Sequence, residues 1–180
     1  MNELALLEFL HNAYRLKEIK RTGWKLKGIK NPESVAEHSF MLALMALALA
    51  KPLKLDAGKC ISLALVHDLP EIITGDIAHA GPPSRGQIAD EGKAMKKLLS
   101  KLDAETKNTI SGLWNEFALA KSKEAKIIHQ LDKLECAIQA HKYEIAHKRK
   151  MQEFFDEAEE RLTDKNLLGL LHALNDMRSR

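Results

Sequence analysis

The sequence predicts an all-α protein, a single helical domain over residues 1–180. Three observations carry that prediction. Aromatic residues make up only 5% of the chain, while Ala and Leu are abundant within a 45% hydrophobic fraction, which favours helices over sheets. No segment alternates with a period of two for long enough to form a strand. Instead, apolar residues recur at helical spacing behind the capping residues Asn2, Ser34, Asp56, Asp103 and Ser122. A length of 180 residues suits one domain with a substantial core.

The first helix is expected from a cap at Asn2 to about Lys20, with Leu6, Leu7, Leu10, Ala13 and Tyr14 as its apolar stripe. A basic loop with Arg21, Thr22, Gly23, Trp24 and Lys25, Lys27 and Lys30 follows and closes at Asn31-Pro32. Ser34 and Glu37 read as a capping box. The helix they open is apolar on nearly every face from Phe40 to Ala50, so it is expected to be central and buried. Lys51-Pro52 stops it. A third helix is expected from Asp56 through Cys60 to about Thr74, bent at Pro70 and stopped by Gly75. Residues 75–87, rich in Gly and Pro, form a loop long enough to suggest function. Further helices are expected over about Ile88–Leu102, then to about Leu119 with Trp114 and Phe117 inward. A long one to about Arg149 carries Ile127, Ile128, Leu131, Leu134 and Ile138. A shorter piece around Met151–Arg161 and a last helix over about Thr163–Met177 complete the chain.

The net charge of +3 and pI of 8.8 suit a small anionic ligand without requiring a nucleic-acid polymer. Basic residues interleaved with aromatics, zinc-finger spacings and a glycine-rich phosphate loop are all missing from the sequence. Cys60 and Cys136 sit in apolar helical settings and read as reduced core thiols, which points to the cytoplasm. The start, MNELALLEFL, lacks the basic region of a signal peptide. The longest apolar run, Phe40–Ala50, is about half of what spans a bilayer.

The strongest local signal is LALVHDLPEIITGD, Leu63–Asp76. His67 and Glu71 share a helix face, as do Asp68 and Glu71. Pro70 bends the backbone where these polar groups sit, and polar groups inside an apolar helix need partners or a ligand. His38 begins the apolar helix, and Asp132 interrupts the apolar edge of the long one. Each has an ordinary alternative. A His near a helix start is often a satisfied core group, and Asp132 could pair with Lys133 or His129. Taken jointly, His38, His67, Asp68 and Asp132 offer two imidazoles and two carboxylates, a set suited to one divalent cation such as Co, Mn, Mg, Fe or Zn. Four protein ligands leave an open position for catalysis if the ion is octahedral.

The pattern His38…His67-Asp68…Asp132 resembles the H…HD…D signature of the HD-domain metal-dependent phosphohydrolases. RTGW (Arg21–Trp24), ESVAEHS (Glu33–Ser39), HDLPEIITGDIA (His67–Ala78) and EAKIIHQLDKLECAIQAHKYE (Glu124–Glu144) narrow the likeness. They are similar to the 5′-deoxynucleotidase branch, which includes human HD-domain-containing protein 2 and bacterial 5′-deoxynucleotidases. The blocks fall in the expected order over most of the chain.

The resemblance implies an HD-domain fold around a buried metal site held by those four residues. It implies hydrolysis of deoxyribonucleoside 5′-monophosphates to deoxynucleoside and phosphate, and a homodimer. Leu167, Leu168, Leu170, Leu171 and Leu174 on the last helix are either the dimer surface or core of their own domain. By resemblance Glu71 orients or deprotonates the attacking water and Asp76 protonates the leaving 5′-oxygen. On the residues alone, Glu71 reads equally as a solvated helix-end carboxylate and Asp76 as a turn residue. Arg21 is expected to grip the phosphate. Trp24 is expected either to pack against the sugar or to fill the core. Thr22-Gly23 separates Arg21 from Trp24, whereas the bacterial members join the two directly. His79, Ser84 and Arg85 depart from the bacterial pattern and receive no role. Two alternatives stand beside this reading: another HD phosphohydrolase, acting on a nucleoside triphosphate, alarmone or cyclic dinucleotide, and a non-catalytic nucleotide-binding module.

Overall fold

The structure is a computed structural model that describes residues 2–78 and 84–179. Among these residues are ten α-helices: α1 (Glu3–Ala13), α2 (Thr22–Leu26), α3 (Val35–Ala50), α4 (Ala57–Val66), α5 (Glu71–Thr74), α6 (Arg85–Leu98), α7 (Ala104–Ala118), α8 (Lys123–His147), α9 (Gln152–Arg161) and α10 (Lys165–Arg178). No strand occurs among the described residues, only an isolated antiparallel bridge between Lys20 and Ser34.

The expected caps do their work. Asn2, Ser34, Asp56, Asp103 and Ser122 each accept a hydrogen bond from the first turn of their helix. Ser34 and Glu37 close a full capping box, which fixes where α3 begins and therefore where His38 sits.

Several boundaries differ from expectation. α1 ends at Ala13 and tightens into a 3₁₀ turn over Tyr14–Lys17. The basic loop holds a helix, α2, whose first residue has no side-chain cap of its own. The helix expected through to Thr74 stops at Val66. Residues 67–70 form a turn, and α5 restarts with Pro70 at its N-cap. A proline supplies no N–H and fits the start of a helix better than its interior. Gly75 then ends α5 with φ 74°, a backbone conformation that favours glycine. α6 begins three residues before the expected Ile88, because Ser84 and Gln87 form a second capping box. α10 begins at Lys165, two residues after the expected Thr163, with Asp164 as its cap. Residues 79–83 of the expected loop, with His79, lie outside the described residues.

α8 is the spine, packing against α3, α4, α7, α9 and α10. Its Ile128, Leu131 and Leu134 join Leu42 and Ala46 of α3, Leu63 of α4 and Leu167 and Leu171 of α10 in the larger core. A second cluster gathers Leu16, Val66, Leu69, Ile72, Met95 and Trp114, and Leu113 packs against both. His67 and Asp68 lie between Val66 and Leu69 of the second cluster; Asp132 lies between Leu131 and Leu134 of the first. The seam between the two cores is therefore where the chemistry-bearing residues emerge.

One burial expectation is corrected and one open alternative is decided. α3 is not covered all round: Leu42, Ala43, Ala46 and Ala50 face inward, but Phe40, Met41, Leu44 and Leu47 are exposed. On α10, Leu167, Leu171 and Leu174 are buried in their own domain, which leaves only Leu170 of the named leucines exposed.

Candidate metal centre

His38 sits in the first turn of α3, fully buried, with its two ring nitrogens facing different partners. Nδ1 lies 2.6 Å from Glu135 Oε2. Nε2 faces Asp132 Oδ1 at 3.2 Å and Asp68 Oδ2 at 3.9 Å. His67, at the end of α4, lies with Nδ1 2.7 Å from the Ala64 carbonyl oxygen. A carbonyl only accepts, so Nδ1 carries the proton and Nε2 turns toward Asp68 Oδ2 at 3.0 Å. Neither Nε2 makes a hydrogen bond, although both are buried. Buried polar atoms are normally paired; two unpaired imidazole nitrogens beside two carboxylates are what a divalent-cation site offers before its ion is counted.

The residue types and spacing fit that group. Ligand atoms of His38, His67 and Asp68 all lie within 4.8 Å of one another, as they must to share one ion with bonds of about 2.1 Å. Asp132 falls outside that group and touches it through His38 Nε2. Its other oxygen faces Lys133 Nζ at 3.4 Å, the pairing read from sequence. Burial opposes both carboxylates. Nevertheless His67, Arg21 and His38 hold Asp68 down at about 2, and Lys133, His38 and Arg21 hold Asp132 well below the usual carboxylate range. Both are therefore ionised and ready to bind a cation. For His38, burial and Arg21 push the imidazole down, but Glu135 and Asp132 outweigh them and raise it to about 10.

Glu135 was missed by sequence reasoning. The signal was present: Asp132 and Glu135 are three apart in an apolar helix, so both turn toward the same side. A carboxylate on the far nitrogen of a ligating histidine fixes its tautomer and ring orientation. Behind it stands Glu33, pushed up to about 7 by burial and by Glu135.

Arg21 reaches across the site. Nη1 lies 3.4 Å from Asp68 Oδ2 and 3.5 Å from Asp76 Oδ1, and Nη2 donates to Cys136 Sγ at 3.3 Å. Asp76 is also tied to α2: the Thr22 N–H donates to Oδ2 at 2.5 Å, and the Thr22 hydroxyl donates to the Asp76 carbonyl oxygen at 2.8 Å. This explains why five uncapped residues hold as a helix: the carboxylate from the α5 turn substitutes for the missing cap. Glu71 is half-buried, with Oε2 itself buried and unpartnered, and burial together with Asp68 and Asp76 pushes its carboxyl up to about 10.

Trp24 is 1% exposed. Its indole N–H donates to Glu33 Oε1 at 2.8 Å, and its ring packs on Phe154 and Tyr143. Trp24 therefore packs in the core, and it also lines the cleft, where it gives the site a rigid wall.

These groups border one cleft of about 750 Å³, lined by Arg21, Asp68, Glu71, Asp76 and Asp132 and also by Lys126, Gln130 and Arg161. That volume lies within the range of about 300–1,000 Å³ usual for small-molecule sites. Cys60 and Cys136 are both free and buried. No helix among the described residues is long and apolar enough to cross a membrane.

Comparison with known proteins agrees with this arrangement. The HD domain family model matches residues 13–169. The 5′-deoxynucleotidase HDDC2 of Danio rerio is 39% identical over 178 residues, covering 97% of this chain and 88% of that protein. Its Homo sapiens counterpart is 36% identical over 178 residues, covering 97% and 87%. A solved structure of a conserved hypothetical protein from Pyrococcus furiosus superposes with a TM-score of 0.79 at 30% identity, over 94% of this chain and 99% of that one. With its helices, its His38…His67-Asp68…Asp132 pattern and its match along nearly the whole length, this chain belongs to the HD domain family.

Proposed function

We propose that this protein is a 5′-deoxynucleotidase: it hydrolyses deoxyribonucleoside 5′-monophosphates to deoxynucleoside and phosphate, using one divalent cation held by His38, His67, Asp68 and Asp132. The observation that carries the reading is the pair of buried, unpaired Nε2 atoms meeting two ionised carboxylates at a cleft of nucleotide size. Two relatives that match nearly end to end bear the name 5′-deoxynucleotidase HDDC2. When bound, the cation supplies Lewis-acid polarisation of the phosphate and lowers the pKa of water at the site.

The chain's own residues do the rest. Arg21 carries the fixed positive charge nearest Asp68 and directs its fork of donors at phosphate oxygens. Glu71, one turn beyond His67, lines the cleft with a buried carboxylate oxygen that has no hydrogen-bond partner. It is our candidate to orient the attacking water and take its proton. Its raised pKa belongs to the cation-free site, and added positive charge lowers it toward a working base. Both Asp76 oxygens face donors, on Thr22 and Arg21. That favours a positioning role for Asp76, holding Arg21 and α2, over donation of a proton to the leaving oxygen. We further propose that residues 1–180 act as one domain, that the protein is cytoplasmic with both thiols reduced, and that it works as a homodimer.

The test is product analysis with Co²⁺ or Mn²⁺ added. Inorganic phosphate and nucleoside should appear from several deoxyribonucleoside monophosphates, and Asp68→Ala should abolish release. No phosphate from any monophosphate, with pyrophosphate or triphosphate released instead from an alarmone or a nucleoside triphosphate, or full turnover by Asp68→Ala, would overturn the proposal.

A further inference from the structure

α3 presents an uncovered apolar face. Phe40 is 64% exposed, Met41 40%, Leu44 46% and Leu47 54%. Ala48 is exposed beside them, and the first charged residues beyond the strip are Glu37 and Lys51, both exposed. At 100° per residue, all seven positions fall within one third of the helix circumference, with Leu44 near its middle. The four large side chains leave about 400 Å² in water, within the range where a surface patch on a monomer is often functional. α1 also exposes Leu4, Leu7, Leu10 and Tyr14, but Glu3, Glu8 and His11 interrupt that helix. On α3 nothing charged stands between the two ends.

The order of residues along this face says what covers it. Leu44 is equidistant in sequence from Glu37 and Lys51, from Phe40 and Ala48, and from Met41 and Leu47. If two copies of α3 lie antiparallel, related by a two-fold axis at Leu44, each residue meets its counterpart across that midpoint. The large Phe40 then faces the small Ala48 of the other copy, Met41 faces Leu47, and Leu44 faces itself. At the ends, about 21 Å apart, each Glu37 faces a Lys51. A parallel pairing would set Glu37 against Glu37 and Phe40 against Phe40. Size and charge therefore both favour the antiparallel self-contact, the isologous arrangement usual for dimers. A crossing angle of about 20° keeps the contact running the length of the helix. The patch supplies about half of the roughly 800 Å² that each partner buries in a standard interface, and its polar border supplies further contact.

We infer that the protein dimerises through α3, antiparallel about a two-fold axis at Leu44. The inference rests on the homodimer reading and adds the face and the register. It also gives the apolar outer side of α3 a structural purpose on the helix whose first turn carries His38.

Sedimentation equilibrium and cysteine cross-linking test it. Wild-type protein should sediment at twice the 20.2 kDa chain mass, and Leu44→Asp at the single mass with unchanged helical circular dichroism. Lys51→Glu, which sets two acids together at each end, should raise the dimer dissociation constant several-fold, whereas Lys54→Glu should not. Leu44→Cys should form a covalent dimer with diamide, since a residue on the axis meets its own copy; Leu7→Cys on α1 should not, and the native thiols are buried. A wild-type monomer would overturn both dimer and face. A Leu44→Asp dimer together with no Leu44→Cys cross-link would overturn the face while leaving the dimer standing.

Discussion

His38 offers Nε2 to the site because Glu135 takes Nδ1, at 2.6 Å and fully out of water. That one contact sets two behaviours. The first is orientation. Glu135→Leu should weaken divalent-cation binding by about 10–100-fold, while Glu135→Gln, whose amide oxygen still accepts from Nδ1, should lose less; calorimetric titration of both variants checks this. The second is pH dependence. His38 rises from its ordinary 6.5 to about 10. In the cation-free protein its charged interactions therefore stabilise the fold fully below about pH 6.5, and this contribution is lost as pH rises through about 10. The cation must displace that proton, so affinity should climb with pH over the same window and titration should show proton release. Affinity independent of pH from 6 to 9 would contradict the pairing. At this scale the sequence disclosed the proposed ligands because each breaks an apolar pattern: His67-Asp68 beside Pro70, and Asp132 inside the stripe of α8. It concealed Glu135, which looks from sequence like any acid on a helix that carries lysines and glutamates along its length. It also left Trp24 open between core and cleft, since an indole suits both; the folded ring is buried in the core and still lines the cleft.

Helices with their own punctuation were readable, and those held by tertiary contacts were not. Asn2, Ser34, Asp56, Asp103 and Ser122 mark five helix starts correctly. α2 was hidden because TGWKL has a glycine, no cap and too few residues to stand alone; its stabilising partner, Asp76, lies 54 residues away. The Ser84–Gln87 capping box was visible as S-x-x-Q and was overlooked among the Gly and Pro around it. The apolar α3 sequence could not say which faces neighbours would cover. The turn at Gly75 controls the Asp76 hook. Gly75 has φ 74° and ψ 166°, and an added Cβ there meets nothing within 4 Å. The cost of Gly75→Ala is therefore backbone conformation alone, about 1–3 kcal/mol. Thermal denaturation should show that loss, and turnover should fall as Asp76 shifts away from Arg21. An unchanged melting temperature and rate would mean that the turn does not set the hook.

For the molecule as a whole, two cores meet along a seam, and the seam supplies both the burial and the opening that the site needs. The proposed ligands come from α3, the end of α4 and α8, three elements brought together only by the folded packing. In the unfolded chain they are scattered, so a bound cation stabilises the native state in proportion to its affinity. The fold class and family were readable because helix patterning and the four motif blocks extend over most of the chain. The exposed face of α3 and the way Arg21, Asp76 and Cys136 interlock depend on distances that only the fold defines. The claim on which the account rests is that His38, His67, Asp68 and Asp132 share one divalent cation. Calorimetric titration of Co²⁺ into metal-free protein tests it most directly. The account predicts one ion per chain, and loss of that binding in both Asp68→Ala and Asp132→Ala with the helical spectrum intact. No binding by the wild type, or undiminished binding by Asp132→Ala, would contradict it.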